Sequence, residues 1–338
     1  MGIADKLRDG SNLQKIPSLS SEISKPVFSI TSDIFLFRRC RRQYGYIKVM
    51  DYPDEAGSVA FIGDLVHETM EDVTRFLVVQ KTSPSDREVA EMLLHHMNNL
   101  LAKGGLPRNW KSLIDVGCKV MTLVRTMDVH GTLARIQTAE QTLYSDQGGH
   151  IFQGRVDAIF DDTSGTCEIW DYKSGDDPRK LLSKLAPSHP TYQTWKKYLD
   201  DNTAQLQLYT ELFELTFGTT PTAAKLIFIQ SIPHDSPSSK HNKVEDIWKH
   251  YTPTPIPKST WDSYNSTSSM GLKGDGPVFS VPVSIKERVT AMANLVQTAE
   301  EIVEQRLKNE WPSPPVHALP DRKKTCDFCA VRTTCDKY

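Results

Sequence analysis

Two short segments carry most of the chemistry that this chain could perform: Gly154-Arg155-Val156-Asp157 and, after a polar break, Asp171-Tyr172-Lys173-Ser174. On an extended strand alternate side chains share a face, so Asp171 and Lys173 project together about 7 Å apart. If the two segments pair as a hairpin, Asp157 reaches the same region from the neighbouring strand. Two carboxylates beside one ammonium group suit a hard divalent cation, Mg²⁺ or Mn²⁺, placed on a phosphate, with the lysine orienting water or meeting negative charge. The same Asp-x-Lys spacing also occurs on ordinary solvated strands, so the flanking elements must decide.

Three further residues point the same way. His67 lies one turn beyond Gly63, which clears space on that helix face. Gln205 and Tyr209 stand at i and i+4, on one side of a helix. Glu140 opens the strand before Asp157 and either faces the same cavity or sits on the surface. Each residue also has a plain structural reading as a core, surface or amphipathic-helix position.

The elements that must position these groups follow from periodicity. Helices are expected over 31–46, 58–80, 87–102 and 111–129, with Gly104-Gly105-Leu106-Pro107 as a breaker. The period then shortens: 136–144, 151–160 and 167–173 read as a three-stranded antiparallel meander. A polar stretch, 174–200, leads to a helix at about 203–217, and 224–230 reads as a buried strand. Residues 231–280 are rich in Ser, Pro, Thr and Lys and read as a surface insertion or a partly disordered segment. A last helix over 284–309 has Ile285, Val289, Met292, Val296, Ala299, Ile302 and Val303 on its expected inner side, and Trp311-Pro312-Ser313-Pro314-Pro315 ends it.

Taken in order, Gly63-x-x-x-His67, Gly154-Arg155-x-Asp157, Asp171-Tyr172-Lys173-Ser174 and Gln205-x-x-x-Tyr209 resemble the RecB-like branch of the PD-(D/E)XK nucleases. The resemblance implies an α/β fold of mixed α+β character. Its restriction-endonuclease-like core would be a mixed sheet flanked by helices, with helical additions and a C-terminal cysteine tail. It implies a flexible arm over 1–30 and one nuclease domain over 31–338: a helical part (31–135), a catalytic core (136–230), the insertion (231–280) and the long helix with its tail (281–338). By the same resemblance His67, Asp157, Asp171 and the backbone carbonyl of Tyr172 would bind Mg²⁺ or Mn²⁺. Lys173 would be the catalytic lysine, and Gln205 and Tyr209 would touch DNA or support the site.

Cys326, Cys329 and Cys335 form a C-x₂-C-x₅-C cluster, one thiolate short of a zinc site or a four-cysteine cubane. The iron–sulfur members of the same branch, among them CRISPR-associated RecB-like exonucleases and the AddB nuclease domain, look similar in placing one cysteine before the core and three after it. Cys40 matches that first position. The implied cofactor is a 4Fe–4S cluster that joins the ends of the domain, with Zn²⁺ as the alternative. Cys118 and Cys167 are expected to be structural.

The 40 basic and 42 acidic residues leave a net charge of −2, which excludes a histone-like polycation. The charge is uneven, however: +5 over 1–50, +2 over 321–338 and −9 between them. Arg38, Arg39, Arg41 and Arg42 beside Cys40, with Arg322, Lys323 and Lys324 before Cys326, are expected to form a phosphate-binding patch. Trp195 and Tyr198 are candidates for stacking on bases. No apolar run is long enough to span a bilayer and no signal peptide is expected, so a cytoplasmic location follows. No G-x-x-x-x-G-K-[ST] loop is present, so strand separation would need a separate helicase subunit. The expected function is a metal-dependent DNA exonuclease on single-stranded or end-opened DNA. The rival is a catalytically inactive nucleic-acid-binding or structural subunit of a helicase complex, with a zinc site.

Overall fold

The structure, a computed structural model, describes residues 25–52, 58–105, 107, 109–161, 167–237, 242–265 and 276–312, together with Cys326, Cys329, Val331 and Cys335. The basic residues Arg322, Lys323 and Lys324 lie outside the described residues, as does most of the expected N-terminal arm.

Six strands form one mixed sheet. β2 (Ile136–Gln147) and β3 (His150–Asp161) are a long hairpin around Gly148 and Gly149, both with positive φ. β4 (Cys167–Lys173) returns antiparallel to β3, which is the expected meander. β5 (Ala223–Phe228) runs parallel to β4, and β6 (Val278–Val281) pairs antiparallel with β5. A short first strand, β1 (Val27–Ser29), pairs in parallel with Ile151–Gln153 and lies inside the stretch expected to be a loose arm. Because β2 occupies one edge of β3, β1 and β4 must share the other, at opposite ends. Pairing of β3 with β4 runs from Asp161↔Cys167 to Ala158↔Trp170, while β4 continues beside β5 as far as Lys173. The sheet therefore forks at Asp157.

Helices cover both faces. On one lie α1 (Ser58–Gln80), α2 (Asp86–Ala102) and α3 (Trp110–Val129), packed around Leu65, Val73, Leu93, Leu123, Phe160 and Trp170. On the other lie α4 (Pro190–Phe217) and α5 (Ile285–Lys308), packed around Phe152, Ile169, Leu208, Phe213 and Leu295. α2 and α5 open with capping boxes, Ser85 with Glu88 and Ser284 with Glu287, each satisfying otherwise orphaned amides.

Three expectations change. α4 starts at Pro190, well before residue 203: His189 caps it by accepting from the Thr191 amide, and Pro190 fits the first turn because that position needs no N–H donor. The polarity that disguised this segment comes from i,i+4 pairs, Lys196–Asp200 and Lys197–Asp201. The 231–280 segment is packed rather than loose where it is described. It carries helices Val244–His250 and Lys258–Asn265 and strand β6, and it buries Trp248, Tyr251, Ile256 and Trp261. Its apolar residues are few but large, so average composition hides them. Trp248 lies on α3 at Gly117, where a Cβ would come within 2.3 Å of the indole, and its Nε1 donates to the Ile114 carbonyl at 3.2 Å. On α5, Ile285 and Val289 face outward at 73% and 55% exposure. The inward position goes to Arg288, whose guanidinium meets Glu211 and Glu214 at 2.6 Å.

Glu168 on β4 is an internal electrostatic anchor. Its Oε2 accepts from Lys225 Nζ at 2.8 Å and Trp170 Nε1 at 2.9 Å, with Arg135 at 3.8 Å from Oε1. Burial pushes its carboxyl pKa up, but these partners outweigh burial and hold it below the usual glutamate range. A depressed carboxylate contributes stability that is complete above the unfolded-state pKa and lost as pH falls through the folded-state value. The gap in urea-unfolding free energy between wild type and Glu168→Gln is therefore expected to be constant from pH 7 to about pH 5 and to shrink below about pH 4. A gap that grows on acidification would contradict this assignment.

Candidate active site

At the fork, Asp157 cannot continue the ladder with β4, and its side chain takes the place of a backbone partner. The Tyr172 amide donates to Asp157 Oδ2 at 2.7 Å. His67, delivered by α1, lies 3.3 Å from the same oxygen through Nδ1. The Asp157 charge is the main cause raising the His67 pKa, against the opposing effect of burial. Burial raises Asp157, and His67, Lys173 and the Tyr172 amide together carry it below the ordinary aspartate range.

Glu140 is the third member of this group. With Ala139 opposite Ala158 and Gln141 opposite Val156, Glu140 falls beside Asp157 across the hairpin. Ligand atoms of His67, Glu140 and Asp157 all lie within 4.8 Å of one another. Of the two sequence readings of Glu140, the structure selects the cavity-facing one. Its φ of 55° is in the left-handed region, which costs a non-glycine residue about 1–3 kcal/mol and concentrates at functional sites. Arg155 Nε also meets Glu140, and its NH2 lies 3.5 Å from Glu71.

Asp171 and Lys173 form the other half. Lys173 Nζ is 2.7 Å from Asp171 Oδ2 and donates to Gln205 Oε1 at 3.1 Å. Gln205 Nε2 in turn donates to Asp171 Oδ1 at 3.2 Å and to Tyr209 Oη at 2.8 Å. Burial raises Asp171 above the usual aspartate range, with Lys173 opposing. Burial also lowers Lys173, but the Asp171 charge outweighs it and the ammonium is held charged. The structure thus brings His67, Asp157, Asp171, Tyr172, Lys173, Gln205 and Tyr209 into one network. Asp171 points to Lys173 and Gln205, and Glu140 completes the triad with His67 and Asp157. The Tyr172 ring is buried in the core, and its backbone amide serves the site.

The donor set fits a divalent cation. One imidazole and two carboxylates converge, and the nearby buried Asp171 Oδ2 is met by the Lys173 ammonium at 2.7 Å. Oxygen-rich sites with a single nitrogen suit Mg²⁺ or Mn²⁺.

Gly154 explains itself structurally. A Cβ there would lie 2.7 Å from Tyr209 Cε1 and 3.1 Å from Leu212 Cδ1, so the Tyr209 ring rests directly on the β3 backbone. Gly154→Ala is expected to displace Tyr209 and, through it, Gln205. The fold should lose about 1–3 kcal/mol, the usual cost of overpacking, while any cleavage rate falls with its metal requirement intact. Urea unfolding beside a cleavage assay checks both, and an alanine variant with wild-type stability would contradict the contact.

Cys40 lies within electrostatic range of Cys326, Cys329 and Cys335. Cys40 sits in extended conformation between helices Leu36–Arg39 and Arg41–Tyr44, and its Sγ accepts from the Gln43 amide at 3.4 Å. Burial raises the Cys40 thiol, and Cys335 and Cys326 add to it; Cys329 responds likewise to Cys40, Cys326 and Cys335. The chain ends are also tied by packing. Trp311 lies where a Gly45 Cβ would be and 5.6 Å from the Tyr44 ring, and Arg306 NH2 donates to Tyr44 Oη at 2.5 Å. Among the described residues no three cysteine sulfurs lie within 4.8 Å of one another. Cys118 and Cys167 are buried away from this group, and burial pushes the Cys118 thiol up to about 12, which makes it inert.

Of the expected basic patch, Arg38 and Arg41 are engaged with α5. Arg38 Nε donates to Thr298 Oγ1 at 2.9 Å and its NH2 to the Asn294 carbonyl, while Arg41 pairs with Glu301. Arg39 is exposed and Arg42 half-buried.

Carboxylates, an imidazole and an ammonium group converge at the fork of a mixed sheet sandwiched by helices. The sequence-family model of the PD-(D/E)XK nuclease superfamily matches residues 29–336, and the chain belongs to that superfamily. A search of curated proteins gives no match. Among solved structures, a Eubacterium rectale protein provisionally designated an exonuclease shares 12% identity over 90% of each chain, with a TM-score of 0.47. The protein SSO0001 shares 13% identity over 90% of this chain and 96% of its own, with a TM-score of 0.29. Neither likeness is close enough to bear on activity. Among the described residues no helix is long and apolar enough to cross a membrane.

Proposed function

We propose that this nuclease-superfamily chain is a Mg²⁺- or Mn²⁺-dependent deoxyribonuclease, an exonuclease on single-stranded or end-opened DNA. The observation that carries the reading is the meeting of two bonded groups on successive residues of β4 at the sheet fork, His67 with Asp157 and the Tyr172 amide, and Asp171 with Lys173, Gln205 and Tyr209. His67, Asp157 and Glu140 would hold the cation, with Asp171 and the Tyr172 carbonyl beside them. When bound, the cation supplies Lewis-acid stabilisation of the phosphate and a lowered pKa for the attacking water. Lys173, held charged by Asp171, orients water in line with the leaving oxygen and meets the charge that develops on the phosphate. Gln205, braced by Tyr209, fixes the lysine and Asp171 relative to each other. Exonuclease action and the DNA substrate are supported by the RecB-like order of the motifs.

The electrostatic coupling of Cys40, Cys326, Cys329 and Cys335 supports a shared metal group that ties the two ends of the domain together. The order of one cysteine before the core and three after it, similar to the iron–sulfur members of the branch, supports 4Fe–4S over Zn²⁺. The missing nucleotide-binding loop supports work beside a separate helicase, in a cytoplasmic setting such as DNA repair, recombination or antiviral defence.

The test is incubation of end-labelled single- and double-stranded DNA with Mn²⁺ and wild type, Asp157→Ala or Lys173→Ala. Metal-dependent cleavage lost in both variants supports the enzyme. Tight binding without cleavage would assign an inactive binding subunit, and neither binding nor cleavage would remove DNA as the substrate. Iron and sulfide analysis of anaerobically purified protein decides between cluster and zinc.

A further inference from the structure

Lys173, Ser174 and Gly175, at the open end of β4, are all part-exposed. α1 approaches this strip at Gly63, where a Cβ would stand 3.6 Å from Ser174 Oγ. α4 approaches it at Tyr198, whose Oη would stand 3.6 Å from a Cβ on Gly175. These helices cover opposite faces of the sheet. Two walls thus reach neighbouring residues whose Cα atoms are about 3.8 Å apart. The approach to Lys173 is a slot, with glycine in one wall and glycine in the floor.

Tyr198 lines that slot without belonging to the hydrogen-bonded network at its end. It lies in the first turns of α4, part-buried, with Trp195 edge-on to it at 5.8 Å and 88°. Asn202 Nδ2 donates to the Tyr198 carbonyl at 2.8 Å, which braces this part of the helix. Burial raises the Tyr198 hydroxyl pKa, with Lys173 and Arg39 among the charges opposing it, so both cations act on this residue. An aromatic side chain at Gly175, two residues beyond Lys173, is placed where a base of a single strand could stack while its phosphate meets the ammonium.

We propose that Tyr198, backed by Trp195, is the stacking residue for the nucleotide whose phosphate is presented to Lys173. The proposal rests on the reading of a nucleic-acid strand as substrate. It assigns to Tyr198 a contact with that strand and not only a place in helix packing.

The test measures affinity of the full chain for a fluorescein-labelled 20-mer of single-stranded DNA in EDTA, where no cleavage occurs. Wild type is compared with Tyr198→Leu, Tyr198→Phe and Tyr198→Trp. Leucine preserves apolar bulk against Trp195 but offers no ring, so Kd should rise about five- to hundred-fold. Phenylalanine and tryptophan should stay within about three-fold of wild type, because the ring carries the contact. In Mn²⁺, the Leu variant should raise KM far more than it lowers kcat. Unchanged Kd in Tyr198→Leu, or equal loss in the Phe and Leu variants, would overturn the proposal. If Tyr198→Leu does not fold, the tryptophan variant decides, since weakening beyond ten-fold there is incompatible with stacking. Wild type that binds the strand but never cuts it would remove the nuclease reading while leaving this comparison valid. Wild type that does not bind would remove both.

Discussion

Under the proposed nuclease activity, Lys173→Ala is expected to lower the metal-dependent cleavage rate by a factor of about 10²–10³ or more, while affinity for DNA changes by only a few-fold. The size follows from what the ammonium does. It is 84% buried by side-chain exposure, 2.7 Å from Asp171 and 3.1 Å from Gln205, so it acts in a poorly solvated place where one aimed charge counts for several kcal/mol of transition-state stabilisation. Asp171 raises its pKa against burial, which in the proposed mechanism suits a cation rather than a base. Removing it also leaves Asp171 buried without its counter-charge, and that carboxyl then takes up a proton, which adds a stability cost of about 1–3 kcal/mol. Arginine keeps the charge but not the reach or shape, and should recover only part of the rate. Single-turnover cleavage of end-labelled DNA, with Kd measured in EDTA, separates these effects. A Lys173→Ala rate within three-fold of wild type would exclude the fork as the catalytic centre.

Arg179→Met should cost about 3–5 kcal/mol of unfolding free energy, a large part of the stability of an ordinary domain. Arg179 and Asp177 are both fully buried. Arg179 Nε donates to both Asp177 oxygens at 3.0 Å, and NH2 donates to Asp177 Oδ2 at 2.7 Å, to the Gly276 carbonyl at 2.8 Å and to the Val278 carbonyl at 2.9 Å. The guanidinium also lies 5.0 Å from the centre of the Phe279 ring, and the Asp177 amide donates to Ser231 Oγ at 3.2 Å. The Arg179 side chain therefore links the segment after β4 to the start of β6, while the Asp177 amide ties the same segment to the exit of β5. Deleting it strands a carboxylate and two carbonyls out of water. Removing both charges is less harmful than removing one, so Arg179→Met with Asp177→Leu should recover much of the loss. Urea midpoints of the single and double variants measure this. A double variant as unstable as the sum of the two single variants would contradict the pairing.

These two predictions mark different degrees of legibility. Asp157, Asp171 and Lys173 could be found from strand periodicity, because alternation alone puts i and i+2 on one face. Arg179 could not: Asp177 is only two residues away, but what buries the pair is its contact with the Gly276 and Val278 carbonyls about a hundred residues on, which nothing local signals. Glu140 falls between: its type suited the site, but only the hairpin register puts it beside Asp157. The helix start at Pro190 was hidden by polar i,i+4 pairs, and with it the setting of Trp195 and Tyr198. The 231–280 segment misled for a related reason, because average composition hides a few large side chains that are buried.

The bare chain was enough to settle which groups could do chemistry and which periodic segments would carry them, because these depend on residue type and on repeats of 2 and 3.6 along the backbone. Folding alone settled where β3 parts from β4, that Glu140 joins His67 and Asp157, and that Arg38 and Arg41 turn to α5. Those outcomes depend on contacts between segments far apart in the chain, where competing partners and burial, not local spacing, select the arrangement.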